Sequence, residues 1–340
     1  MNGIKQTTIK DVAQEAGVSI ATVSRVLNEQ SGVSKELVEQ VKVAVQKLNY
    51  QPNAIARALK NSESRSIGLI IPDIENPFFP ALVRGVEDAM QEIGYAVILC
   101  NTDGQPEAEE RYIKFLLSKQ VDGILFVGNL NFVQNPWLAA LPVPMILLDR
   151  KIVGAPFPTV LVDNELGAFM VVEHLIKQGR HHIAIISGKS QSPISIDRVN
   201  GAIRALTMYG YPCPKQSILN SYFTFEGGYQ AVNDLIANEI FFDGIFAAND
   251  MMAIGAIECL TKYGRHVPDD VAVVGFDDIR LAAWYKPSLT TVRQPVYEMG
   301  QIAVQSLVEQ LTHSKTETFD KILKPELVIR RSSGGKGDTL

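Results

Sequence analysis

The residues best placed for chemistry stand where short apolar runs end. SIGLIIPDI leads into Asn76, Pro77, Phe78 and Phe79, and PVPMILLDR closes on Asp149 and Arg150. Farther along come Asp197-Arg198, Phe223, Asn249-Asp250 and Asp277-Asp278, with Gln294 after a later break. One Asp or Asn after a strand is ordinarily a helix cap, and one Phe is ordinarily core. As a set, however, these residues combine aromatic faces with carboxylate, amide and guanidinium groups. That is the chemistry a sugar needs: its C–H faces pack on aromatic rings, and its vicinal hydroxyls take paired hydrogen bonds from the polar groups.

The runs that would carry these residues alternate with helical patterns. After SIGLIIPDI a helix is expected over 79–93, then the strand YAVILCNT, a helix over 106–120, and the strands DGILFVG, PVPMILLDR and PTVLVDN. The alternation restarts at Asn164 with a helix to Gln178, the strand HIAIISG, and helices over 197–209 and 227–238. The strand DGIFAAN, a helix over 250–263 and the strand VAVVGFD follow. Two successive β/α runs of similar size predict an α/β protein with two doubly wound parallel-sheet lobes. In such sheets ligands lie beyond the carboxyl ends of the strands, where the residues above stand.

Residues 1–60 follow another pattern. Ile9, Val12, Ala13 and Ala16 recur at helical spacing, and Gly17 supplies a stop. Ser19 or a neighbouring backbone group caps a second short helix, from about Ile20 to Asn28, with Val23 and Val26 on its apolar face. Two short helices joined by a Gly-containing turn fit an ordinary αα-hairpin or a helix-turn-helix, whose second helix enters the DNA major groove. Ser34 caps a third helix, Lys35 to Leu48. Asn53 can cap a segment from Ala54 to Lys60 that is too short to be stable alone, and NSESRS is a polar linker. Eight Lys/Arg against five acids give residues 1–60 a charge of +3, leaving −8 on the rest of a chain whose net charge is −5. A basic head on an acidic body fits DNA contact at one end.

TIKDVAQEAGVSIATVSRVLN and VSKELVEQVKVAVQKLNYQPNAIARALK resemble the N-terminal signature of the lactose-repressor (LacI/GalR) family, and further resemblance runs to about Arg331. The resemblance implies an all-α helix-turn-helix head at 1–50, a hinge helix and linker at 51–63, and an effector-binding and dimerisation domain at 64–340. The last would have the periplasmic sugar-binding-protein fold, with lobe 1 about 64–163 plus 294–323 and lobe 2 about 164–293 plus 324–334. The chain would cross between lobes near Asp163, Gln294 and Leu323. For DNA it implies Thr8, Ser19, Ile20, Ala21, Thr22, Ser24, Arg25, Asn28, Asn53, Arg57 and Leu59. Ile20, Ala21 and Arg25 would face base edges, Ser19 and Thr22 phosphates, and Leu59 would wedge into the minor groove. For the ligand it implies Asn76, Phe78, Phe79, Asp149, Arg150, Arg198, Phe223, Asn249, Asp277 and Gln294, which look like the ligand set of ribose-binding proteins and ribose repressors. Phe225 is the alternative to Phe223. Asp149 and Asp277 balance Arg150 and Arg198, which suits a neutral ligand better than a sugar phosphate. Asp197, Asp250 and Asp278 read as caps or orienting groups. The expectation is a homodimeric repressor of operator DNA, controlled by D-ribose or a similar pentose acting as inducer.

Other functions are poorly served. No G-x-G-x-x-G follows the first strand, and there is no P-loop, G-x-S-x-G or H-E-x-x-H. A glycosidase built on paired acids and an NAD-dependent oxidoreductase are the enzyme alternatives, and no cofactor or metal is expected. His181-His182 reads as a turn or surface feature. Cys100, Cys213 and Cys259 form no CxxC and read as buried thiols of a reducing cytoplasm. With no apolar run of about 18 residues and no apolar leader, neither a membrane span nor a secreted transport protein is expected. The tail RSSGGKGDTL lacks the leucine heptads of a tetramer-forming coil. Catabolite-control repressors of the same family use a phosphorylated carrier protein as corepressor. They tend to lack the Asp149-Arg150 pair, although Arg280 sits where they too have an arginine.

Overall fold

The computed structural model describes residues 7–27, 32–50, 63–129, 135–152, 154–312 and 320–335. The chain divides into two compact units, Met1–Arg65 and Ser66–Leu340. The first holds α1 (Ile9–Glu15), α2 (Ile20–Leu27) and α3 (Lys35–Lys47) around Val12, Ala13, Val23, Val41 and Ala44. Each helix start is fixed by a hydroxyl. Thr8 and Asp11 form a reciprocal capping box on α1, Ser19 Oγ accepts from the Thr22 amide at 3.1 Å, and Ser34 Oγ accepts from the Leu37 amide at 3.4 Å. Gly17, with φ of 65°, makes the turn between α1 and α2, a conformation that a Cβ would penalise.

The second unit contains two parallel sheets. The first joins β1 (Ser66–Ile71), β2 (Ala96–Asn101), β3 (Gly123–Phe126), β4 (Met145–Leu148), β5 (Thr159–Val162) and β11 (Lys321–Leu323) in the order β11-β5-β4-β3-β1-β2. The second joins β6 (Ile183–Ser187), β7 (Ile218–Asn220), β8 (Gly244–Ala247) and β9 (Ala272–Val274) in the order β7-β6-β8-β9. A short antiparallel pair, β10 (Thr291–Arg293) with β12 (Glu326–Val328), accompanies the returning chain. In both parallel sheets the winding reverses beside the first strand, between β1 and β3 and between β6 and β8. Such switch points open crevices at the carboxyl ends of the strands.

Helices cover both faces of each sheet, which is why the strands are nearly continuous apolar runs. Ile67, Leu69 and Ile71 of β1 face α4 (Phe78–Glu92) and α11 (Val296–Thr312), while Ile70 turns to the opposite core with Ile124 and Phe126, beside α5 (Pro106–Ser118). Two glycines let α4 and α11 approach closely: a Cβ on Gly85 would lie 2.2 Å from the Tyr297 carbonyl oxygen. The second lobe is flanked by α6 (Asn164–Lys177), α7 (Pro193–Met208), α8 (Phe225–Ala237) and α9 (Asp250–Lys262), with the short α10 (Arg280–Trp284) after β9.

Two helix starts differ from expectation. α7 begins at Pro193 rather than Asp197, because proline is pre-set for the first helical turn. α8 begins at Phe225 rather than Gly227, because Thr224 caps it, accepting from the Gly227 amide. The structure also adds α10, α11 and the three-residue strands β7, β10, β11 and β12. Among the described residues no helix is long and apolar enough to cross a membrane.

Candidate functional site

In the N-terminal unit, α2 turns Val23 inward and leaves Ile20, Ala21 and Arg25 on its exposed surface. Ser24 and Thr22 are half-buried, and the Thr22 hydroxyl lies 2.9 Å from that of Ser19. Thr8 is exposed, its hydroxyl donating to Asp11 at 2.7 Å. The exposed face therefore offers one guanidinium fork, apolar contacts from Ile20 and Ala21, and small hydroxyls at the helix start. A fork pairs with guanine and apolar groups meet thymine methyls, while hydroxyls and helix N-termini suit phosphates. Asn28, Asn53, Arg57 and Leu59 lie outside the described residues.

In the second unit, a cavity of about 410 Å³ opens between the two parallel sheets, and all ten residues expected to hold a ligand line it. The first lobe contributes Asn76, Phe78 and Phe79 from the β1–α4 junction and Asp149-Arg150 from the end of β4. Phe78 and Phe79 meet edge to face at 5.1 Å. Asn76 Oδ1 accepts from the Phe78 amide at 3.1 Å, which fixes the side chain at the junction. Arg150 holds Asp149 through Nη2 at 2.8 Å and reaches Asn129 Oδ1 through Nη1 at 3.1 Å. Asp149 has φ of 68°, a left-handed conformation in which a non-glycine residue is strained.

The second lobe builds the opposite grip. Arg198, on α7, is buried and heavily constrained. Its Nε donates to Asn164 Oδ1 at 2.8 Å, its Nη1 donates to the Ala248 carbonyl, and its guanidinium lies 3.6 Å over the Phe276 ring. Nη1 also stands 3.5 Å from Asp277 Oδ1. Asp277 accepts from Gln294 Nε2 at 2.7 Å, while buried Gln294 Oε1 has no hydrogen-bond partner among the described residues. Burial raises the Asp277 carboxyl from the ordinary 3.8 to about 7, an effect that Arg198 and Gln294 offset only in part and Asp149 reinforces. Its φ of 112° is held by its amide donating to the Val292 carbonyl at 2.8 Å.

Asp250 and Asp278 orient this corner without lining the cavity. Asp250 accepts from the Ile279 amide and the Thr291 hydroxyl, and burial pushes its carboxyl well upward. Asp278 pairs with Arg330 and Arg293, each at 2.7 Å. Phe223, not Phe225, reaches the cavity. Its ring fills the space where a Cβ on Gly188 would lie 2.3 Å away, whereas Phe225 starts α8. Asn249 lines the cavity but is partly committed: Oδ1 caps α9 at the Met252 amide and Nδ2 donates to the Phe223 carbonyl.

The cavity also holds residues that the strand-end reading misses, among them Asp73, Asp103, Asn129, Lys189 and Tyr222. Each follows a strand, but only the packing of the two lobes brings it to the cavity. With them the lining carries four acids (Asp73, Asp103, Asp149, Asp277) against three cations (Arg150, Lys189, Arg198), so the expected zero balance becomes −1 when every group, Asp277 included, is ionised. His181 and His182 are exposed and their amides donate to Asp243, so the pair serves a turn. Cys100 and Cys259 are buried, but Cys213 is only half-buried, contrary to expectation.

Two family models match the chain: bacterial regulatory proteins of the lacI family over residues 8–53, and a periplasmic binding protein-like domain over residues 172–333. The ribose operon repressor of Halalkalibacterium halodurans is 39% identical over 97% of this chain and 98% of its own length. The chain belongs to the lacI family of bacterial regulatory proteins. Catabolite control protein A of Priestia megaterium is 36% identical over 96% of this chain and 99% of its own. A lac repressor dimer bound to operator and the anti-inducer ONPF is 29% identical, with a TM-score of 0.89 over 97% of this chain and 99% of that one. A LacI family regulator from Enterococcus faecium with bound ribose is 30% identical, with a TM-score of 0.70 over 78% of this chain and 98% of that one. This lacI-family member is a DNA-binding transcriptional repressor, and the enzyme alternatives fall, because its relatives are named as regulators and repressors.

Proposed function

We propose that this repressor grips operator DNA as a homodimer and releases it when a neutral pentose, D-ribose foremost, fills the cavity. Residues 1–50 then read DNA, 51–63 form the hinge and linker, and 64–340 sense the effector and dimerise. The observation that carries the reading is the convergence of ten side chains on one cavity, with an acid and an arginine from each lobe and two phenyl rings at one wall. The name of the Halalkalibacterium relative and the ribose in the Enterococcus structure support the choice of sugar. On the DNA side, Arg25 pairs with a guanine, Ile20 and Ala21 meet base edges, and Thr8, Ser19, Thr22 and Ser24 meet the backbone. Asn28, Asn53 and Arg57 add contacts, and Leu59 wedges the central step. The site of action is the cytoplasm, where operator DNA lies. Calorimetry with D-ribose, paired with an operator-shift assay, tests the reading: ribose should bind and should weaken operator binding. A chain that ignores ribose, but binds operator more tightly with a phosphorylated carrier protein, would be a catabolite-control regulator instead, with exposed Arg280 as a contact.

A further inference from the structure

The inner charges of the cavity are settled within each lobe: Arg150 pairs with Asp149 on the first, and Arg198 faces Asp277 on the second. The outer charges are not. Asp73 follows β1 and Asp103 follows β2, both on the first lobe, while Lys189 follows β6 on the second. None of the three has an ion-pair partner among the described residues. The two acids make only local bonds, Asp73 to the Glu75 amide and Asp103 to the Asn101 side chain. Lys189 is exposed, with its Nζ 5.3 Å over the Tyr222 ring, which holds the ammonium at the rim. The unpaired charge of the cavity thus has opposite sign on opposite lobes.

We infer that Lys189, set against Asp73 and Asp103, is an electrostatic latch that favours closure of the two lobes over the bound effector. The inference rests on the proposed sugar reading only for the effector's neutrality. A latch made by the protein itself biases the open–closed equilibrium, and the ligand's apparent affinity rises with the closed fraction. Exposed charges attract modestly and are screened by salt. A neutral sugar has no charge to screen, so any salt dependence of its affinity reports on the protein.

The test is calorimetry of the full chain with D-ribose, without DNA, at roughly 0.02 M and 0.5 M sodium chloride. For the parent, Kd should rise roughly twofold to fivefold with salt. Lys189→Gln should bind more weakly at low salt and lose the salt slope. Lys189→Glu should reverse the slope, because salt then screens repulsion, and adding Asp73→Lys together with Asp103→Lys should restore it. A parent Kd that does not move with salt, or a Lys189→Glu variant that matches the parent, overturns the latch while leaving ribose binding intact. If ribose does not bind at all, the sugar reading has failed, and the latch is read without ligand. Pulsed electron-paramagnetic distances between one spin label in each lobe should then show fewer short distances in Lys189→Glu than in the parent. Identical distributions would overturn it.

Discussion

Asp277 is a carboxylate that the fold holds where its charge is costly. Its backbone is forced to a φ of 112°, its side chain is buried, and its arginine stands at 3.5 Å rather than in close contact. The result is a carboxyl raised from 3.8 to about 7. The sign follows from proton counting. Between about pH 4 and 7 the folded chain holds a proton that the unfolded chain has lost, so this group's contribution to stability is greatest at low pH and declines as pH rises through 7. Ligand binding runs the other way if sugar hydroxyls donate to the ionised carboxylate, since binding must then expel the proton. Ribose affinity should fall as pH drops from 8 to 6, by at most about tenfold per unit below 7. Calorimetry in buffers of different ionisation enthalpy should show proton release at pH 6.5, and Asp277→Asn should abolish it. A flat profile would mean that Asp277 shapes the cavity without accepting from the ligand.

At the scale of elements, close approaches and exposed faces carry the testable content. Gly85→Ala would drive a methyl into the Tyr297 carbonyl where α4 meets α11, so it should cost about 1–3 kcal/mol, read as a lower denaturant midpoint with an unchanged slope. On α2, Arg25→Ala should relax preference at one operator position per half-site, a loss of about 1–3 kcal/mol in discrimination. An unchanged preference in a binding-site selection would remove Arg25 from base reading. The long β/α alternation was legible because buried parallel strands are continuous apolar runs, and the residues ending them could be picked out as the ones that line one cavity. Three-residue strands such as β10 and β12 were not legible: they are too short for a period, and their pairing depends on distant chain. Nor could Lys189 and Asp103 be told from ordinary loop charges, because only the packing of two lobes brings them to one mouth. The Asp197 start of α7 failed for a local reason, a capping-type residue outweighing Pro193 four positions earlier.

For the whole molecule, the effector works only if it prefers one arrangement of the lobes. Each lobe holds one acid–arginine pair, so a sugar touching both completes a bridge that neither lobe makes alone, which gives the closed state its differential affinity. Bound ribose should therefore stabilise the second unit by about 2.7 kcal/mol at a hundredfold excess over Kd, seen as a shift in its thermal midpoint and not in that of the N-terminal unit. Arg198 is where this bridge is most exposed to a single change. It is fixed by Asn164, the Ala248 carbonyl and the Phe276 ring, so its remaining N–H donors are pre-aimed and lose little entropy on meeting a hydroxyl. Removing it forfeits a charge-assisted bond of about 1.5–3 kcal/mol. It also leaves Asp277 buried without its cation, which raises that carboxyl further and weakens it as an acceptor. Ribose affinity should fall about tenfold to a hundredfold or more in Arg198→Ala. Operator binding without sugar should persist, because α2 belongs to the other compact unit, and cells carrying the variant should stay repressed when inducer is added. A variant that binds ribose as tightly as the parent would dismiss the two-lobe bridge, whereas one that loses operator binding as well would move Arg198 from the effector site into the framework of the fold.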